Sequence, residues 1–233
     1  MTLRHLLAVP FLAFFLAGCA GTGGSQARDP WEGFNRGTFA FNDALDQAVL
    51  KPVAQGYVKV VPGFARAGVS NFFGNLEDIG TALNNLLQGK PVEGVSDAGR
   101  FLVNSTLGVL GLWDVATPMG LEKHYEDFGQ TLGWWGVLPG PYLVLPFFGP
   151  SSLRDGPARF VDPARYYYPA IEPEGLRWGL QILDVVRIRA ELLQAEGVLA
   201  EAALDRYSFI RDAWWQRRRS QVYDGKPPRE KDE

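Results

Sequence analysis

The stretch "NFFGNLEDIGTALNNLLQG", residues 71–89, decides how the chain is read. Phe72, Leu76, Ile79, Leu83 and Leu86 recur at steps of three and four, the spacing that gathers them on one face of a helix. Glu77, Asp78, Thr81, Asn84 and Asn85 lie elsewhere around it. Gly89 supplies the stop, since glycine takes the left-handed conformation that closes a helix. The period is helical, and alternation of the kind a strand needs is scarce along the chain. The expected fold class is all-α.

Working outward, "GFNRGTFAFNDALDQAVL" puts Phe34, Thr38, Phe41, Leu45 and Val49 on one face, with Asp29-Pro30 placed to start that helix. A third helix is expected from Pro91 to Leu107, ending at Gly108. The longest is expected over about Pro173–Arg206, with Leu176, Leu180, Leu183, Val186, Ala190 and Leu193 as a core stripe.

One segment breaks this pattern. "FGQTLGWWGVLPGPYLVLPFFGPSSL", residues 128–153, carries no charge over 26 positions, yet Pro139, Pro141, Pro146 and Pro150 and five glycines forbid a continuous helix. It is not a simple transmembrane span. Two readings stand side by side: a hairpin-like apolar element facing lipid or a lipid cavity, and irregular core filling.

The N-terminus reads as a secretory signal, with Arg4, an apolar run Leu6–Leu16 and then small residues. That run is shorter than the roughly 20 residues a bilayer requires. "LAGC", residues 16–19, matches the bacterial lipobox, in which the cysteine thiol is acylated. The alternative is an ordinary signal with a chance cysteine, but position, spacing and the absence of any other cysteine favour lipidation at Cys19. Ala20, rather than aspartate, favours export to the outer membrane. The expected organisation is a signal peptide over 1–18, a Gly/Ser-rich tether over 19–28, a helical domain over 29–222 and a disordered charged tail over 223–233. Removal of the first 18 of 233 residues leaves 215, enough for a sizeable core.

Motifs for chemistry are missing. The formal charge of −3 and the scatter of Lys and Arg imply no nucleic-acid surface. His124 is the single histidine after the signal, so a multi-imidazole metal site is excluded and a solvated loop histidine is expected. "GVSNF" and "GVSDA" lack the second glycine of a serine nucleophile elbow, and no P-loop occurs. Glu77-Asp78 and Glu126-Asp127 are sequence neighbours that point apart on a helix. Neither enzyme activity, metal nor cofactor is expected. A lipid anchor, amphipathic helices and an uncharged Pro/Gly segment suit the handling of an amphiphile.

"DPWEGFNRGTFAFND" (29–43), "NFFGNLED" (71–78), "LLQGK" (86–90), "GRFLVNSTLGVLGLWDVA" (99–116) and the block 128–155 together resemble the MlaA/VacJ family of outer-membrane lipoproteins. The resemblance implies amphipathic helices arranged as a ring in the periplasmic leaflet of the outer membrane, around a central amphipathic channel. It implies removal of mislocalised phospholipids from the outer leaflet, their transfer to a periplasmic lipid carrier protein, and association with a trimeric porin. Also implied is a mobile hairpin around Trp134–Phe148. On that basis the lipid-contact candidates are Phe72, Phe73, Leu76, Ile79, Leu83, Leu86, Trp134, Trp135, Tyr142, Phe147 and Phe148. Asn42, Asn71, Asn75, Asn84, Asn104 and Ser105 are the polar candidates for the channel, with helix capping and internal hydrogen bonding as their competing roles. A porin-bound structural lipoprotein and a lipid hydrolase are the alternative functions.

Overall fold

Helices dominate a computed structural model of the chain, which describes residues 29–162, 171–202 and 205–228. The signal, Cys19, the tether and residues 229–233 lie outside the described residues. Helix α1 runs Glu32–Leu45 and continues through a π-helical stretch, Asp46–Leu50, into α2, Lys51–Val60. The wider turns sit just ahead of Pro52, whose missing N–H and bulky ring disfavour a regular α-helical bond at that point. Asp29-Pro30 was expected to open this helix. Instead it begins at Glu32, and buried Asp29 accepts hydrogen bonds from Asn35 and Tyr207.

The quoted stretch forms the second half of α3, Gly63–Leu87. It is followed by Gly89 at φ +74°, then by α4, Pro91–Thr106. These two helices pack along each other as a hairpin. Gly94 permits the approach, since a Cβ there would lie 2.9 Å from Leu86 Cγ.

The uncharged segment resolves into a short helix α5, Phe128–Trp134, and a two-stranded antiparallel hairpin. Strand β1 is Tyr142–Leu145 and β2 is Gly149–Ser152, with Tyr142 opposite Ser152 and Leu145 opposite Gly149. The segment forms a hairpin, as one reading expected, while Tyr142 and Val144 of β1 fill the core, as the other did, and the hairpin is a small exception within a helical fold. β1 leans on α1, and β2 meets α6, Asp155–Val161.

The long helix expected over about 173–206 is observed, and a further helix that was not anticipated follows it. Helix α7, Glu174–Ala202, packs on α2, and α8, Arg206–Val222, packs on α5 and β2. The break coincides with Asp205, which caps α8 by accepting from the Tyr207 N–H at 3.2 Å. Of the anticipated α7 stripe only Val186 and Ala190 are fully buried, and Leu176 is exposed. Past Val222 the chain turns over Tyr223–Gly225, and the Asp224 carboxylate meets Lys90 at 2.5 Å.

A polar interior under an apolar surface

Helix α3 is oriented opposite to a helix of a water-soluble domain. Asn75, Asp78, Thr81, Asn84, Asn85 and Gln88 are buried, whereas Leu83, Leu86 and Leu87 are 44–49% exposed. Helix α4 repeats the inversion. Asp97, Arg100 and Asn104 point inward, and Val92, Val95 and Leu102 are exposed. The two polar faces meet each other, so the bonds between them run from side chain to side chain.

Those bonds form a connected interior. Buried Asp78 is paired with Lys123, and Arg100 approaches it at 3.4 Å while also holding Asp114 at 3.2 Å and the Leu121 carbonyl at 2.5 Å. Asn85 donates to Asp97 at 2.8 Å, and Asp97 also meets His124 Nδ1 at 3.0 Å. His124 lies on the loop expected of it, half-buried, with its ring turned onto buried Asp97. Thr131 donates to Asn84 Oδ1 at 2.9 Å, and Asn84 donates to Asp162 at 3.3 Å. Gln88 donates to Glu126 at 2.8 Å, beside Lys90.

Arg218 of α8 closes this interior. Its guanidinium reaches Asp127 at 2.6 Å and Asp155 at 2.8 Å, and Asp155 is also held by Arg154 at 2.9 Å. Burial acts to raise both carboxyls, but hydrogen bonds and charge from Arg218 carry them below the usual carboxylate range. Asp78 goes the other way, because its desolvation outweighs Lys123 and Arg100. The pairing leaves little room: a Cβ at Gly129 would collide with Asp155 and Arg218. A cavity of about 310 Å³ opens beside these residues, edged by Trp214, Arg217 and Gln221.

The hairpin is attached to α1 by two asparagines seven residues apart, hence on the same face. Asn35 donates to the Tyr142 carbonyl at 3.1 Å and accepts from the Val144 N–H at 2.9 Å. Asn42 donates to the Leu145 carbonyl at 2.9 Å and accepts from the Phe147 N–H at 2.8 Å. Each amide thus serves as a one-residue strand edge. Asn35 was missed in the sequence, although its spacing from Asn42 was there to be read.

The lipid-contact candidates divide. Leu83, Leu86, Trp134, Trp135, Phe147 and Phe148 are exposed, and Phe72, Leu76 and Ile79 are half-buried. Phe73 and Tyr142 are fully buried and are corrected to core residues. Phe73 lies under Arg187, 5.4 Å from its ring centre, and Tyr142 packs edge-on against Tyr207 and Trp214. The channel candidates are all engaged within the protein. Asn71 donates to the Leu112 carbonyl at 3.1 Å, Asn75 to Ser105 at 2.8 Å, and Asn104 accepts from the N–H groups of Val115 and Ala116. Asn75 Oδ1 alone among their amide oxygens is buried without a partner.

In water such a surface is unfavourable, since exposed apolar area costs on the order of 25 cal/mol per Å². In hydrocarbon the same surface is matched. No helix among the described residues is long and apolar enough to cross a membrane. These features define a membrane-associated helical protein with a polar interior. A model of the MlaA lipoprotein family matches residues 27–221. The chain is 39% identical over 227 residues to the intermembrane phospholipid transport system lipoprotein MlaA of Escherichia coli (strain K12), covering 93% of this chain and 88% of that protein. It is 32% identical over 235 residues to the protein of the same name from Haemophilus influenzae, covering 97% and 93%. A solved structure described as "Structural basis for maintenance of bacterial outer membrane lipid asymmetry" matches with a TM-score of 0.71 at 36% identity, over 85% of this chain and 99% of that one. The chain belongs to the MlaA lipoprotein family.

Proposed function

We propose that this chain clears mislocalised phospholipids from the outer leaflet of the outer membrane through a central passage and delivers them to a periplasmic lipid carrier protein, alongside a trimeric porin. The observation that carries this reading is the inverted polarity of α3 and α4, with carboxylates and amides inside and leucines and valines outside. The related proteins are named for phospholipid transport, and the structural match concerns lipid asymmetry. The helices form a ring held in the periplasmic leaflet, anchored by acyl chains on Cys19. More than one chain is needed for stable anchoring. Phe72, Leu76, Ile79, Leu83, Leu86, Trp134, Trp135, Phe147 and Phe148 meet acyl chains.

Transport of this kind is passive. Drawing a charged or dipolar headgroup through hydrocarbon costs several kcal/mol, and a polar passage substitutes protein groups for the lost water. Asn42, Asn71, Asn84, Asn104 and Ser105 frame the passage wall through their internal bonds, and Asn75 keeps an acceptor available. The hairpin is the moving part. Its turn is aromatic and exposed, and the turn itself is tethered to α1 by the Asn42 amide, while Asn35 holds the start of β1.

The test is complementation of a strain lacking its own copy, with outer-leaflet phospholipid measured by a surface-accessible phospholipase, and native mass spectrometry of the purified protein. Expected are a fall in surface phospholipid to the parental level and co-purification of lipid. Porin without lipid would favour a structural lipoprotein. Released fatty acid would favour a hydrolase.

A further inference from the structure

We infer that the open cleft bordered by α2, α3 and α7 binds the headgroup of a zwitterionic phospholipid, its phosphate on Arg66 and Tyr57 and its amine on Glu191. The inference rests on the phospholipid-transport reading and assigns that reading a site. The cavity measures about 160 Å³ and is bordered by Tyr57, Arg66, Ser70, Arg187, Ala190 and Glu191. A single water needs only about 10–15 Å³ of such space, so a polar group of several atoms fits.

Arg66 is the anomaly. The buried arginines of the interior, Arg100, Arg154, Arg211 and Arg218, each sit on a carboxylate. Arg66 enters no ion pair among the described residues, and its Nε is buried with no hydrogen-bond partner. The Tyr57 hydroxyl in the same cavity is also buried and unpartnered. A donor held away from water with no acceptor carries a desolvation penalty, larger for a charged group. A phosphate would relieve both, since the guanidinium fork matches two of its oxygens and the phenol supplies a further donor. Burial raises the phenol above its ordinary range, so it stays a neutral donor at physiological pH.

The rest of the wall selects the headgroup. Arg187 is already committed to Asp184 at 2.6 Å and Glu191 at 3.3 Å, with Glu77 at 3.7 Å. Ser70 donates to Glu191 at 2.6 Å. Arg187 is thus neutralised by its own carboxylates, so the wall offers the free Arg66 guanidinium on one side and the Glu191 carboxylate on the other, a pairing that matches a phosphate joined to an ammonium. The same helices expose Val53, Val60, Phe64, Ile188 and Leu192. That apolar exterior takes acyl chains, which free phosphate lacks.

The experiment titrates the full mature lipoprotein, in detergent, with dihexanoyl-phosphatidylethanolamine, dihexanoyl-phosphatidylglycerol, glycerophosphoethanolamine and inorganic phosphate, by calorimetry. The ethanolamine lipid should bind best. Arg66→Gln should weaken it tenfold or more, Tyr57→Phe several-fold, and Glu191→Gln should erase the preference over the glycerol lipid. Lys59→Gln, an exposed cation outside the cavity, should change nothing. If Arg66→Gln does not fold, Arg66→Lys keeps the charge but loses the fork and should still weaken binding several-fold. Wild-type affinity in the folded Arg66 and Tyr57 variants overturns the site, as does inorganic phosphate binding as well as the lipid. Wild-type protein that clears lipid normally alongside an equally active Arg66→Gln variant sinks the site alone. Wild-type protein that neither binds nor clears lipid sinks the transport reading with it.

Discussion

Asn42 grips Phe147 at the tip of the hairpin, accepting the Phe147 N–H at 2.8 Å while donating to the Leu145 carbonyl at 2.9 Å. Phe147 has φ +67°, a left-handed conformation that costs a bulky non-glycine residue about 1–3 kcal/mol. The amide holds the turn where the backbone alone would not stay. Phe41, one residue before Asn42, stacks edge-on against Phe147 at 5.5 Å.

Asn42→Ala should therefore release the hairpin tip while leaving the helices intact. Two net hydrogen bonds are worth about 1–3 kcal/mol together. Hydrogen exchange should speed up at the Phe147 amide and stay slow through α3. Asn35→Ala should cost more, because it strands the buried Val144 N–H. Equal exchange in wild type and Asn42→Ala would show that the turn does not depend on this amide.

A charge on the outer face of α3 separates membrane contact from core packing. Leu86→Asp should leave the protein folded in detergent, since the side chain is about half exposed, but impair membrane association by about 2.5–3.5 kcal/mol if it faces hydrocarbon. Circular dichroism in detergent and flotation with vesicles are the two readouts. Unfolding in detergent would instead place Leu86 in the core.

Arg218 holds two carboxylates at once, so Arg218→Met should destabilise by about 3–5 kcal/mol by leaving Asp127 and Asp155 unmatched. Arg218→Lys should recover only part of this, because an ammonium lacks the fork that spans both partners. Thermal melts in detergent give both values.

Acid should weaken the fold through Asp114. Burial pushes this carboxyl up, but hydrogen bonds from Thr117 and Asn104 and the charge of Arg100 bring it down to about 2 from 3.8. As pH falls, the unfolded chain takes up the proton first, so the stabilisation is complete above about 4 and is lost as pH drops through about 2. The melting gap between wild type and Asp114→Asn should be widest at pH 5 to 6 and close near pH 2.

Much of this was legible in the residues, and the rest was hidden for identifiable reasons. The course of α3 over 71–87 followed from the three-four spacing of Leu76, Ile79, Leu83 and Leu86 and from Gly89, and that of α4 from Pro91 and Gly108, because these are local signals, whereas the first turns of α3 from Gly63 were not anticipated. Periodicity states which residues share a face, not what that face meets, so it could not rank Leu86 as outside and Asn85 as inside. Phe73 and Tyr142 were misplaced for the same reason. Helix α8 was not anticipated although Asp205 is a capping residue, because Arg206–Val222 carries no clear apolar stripe to mark it as a helix. The hairpin strands are four residues each, too short for alternation to stand out among the prolines, and their attachment to Asn35 and Asn42 spans more than 100 residues of sequence.

The orientation of α3 and α4 also bears on delivery. A chain that shows leucine, valine and phenylalanine to its surroundings has no aqueous resting state: folding bare in water would leave those side chains to seek one another on neighbouring copies. If the chain reaches the outer membrane as proposed, it requires an escort that covers these helix faces and lets go only at a bilayer. Overproduction beyond the capacity of that escort should yield aggregates of otherwise folded protein.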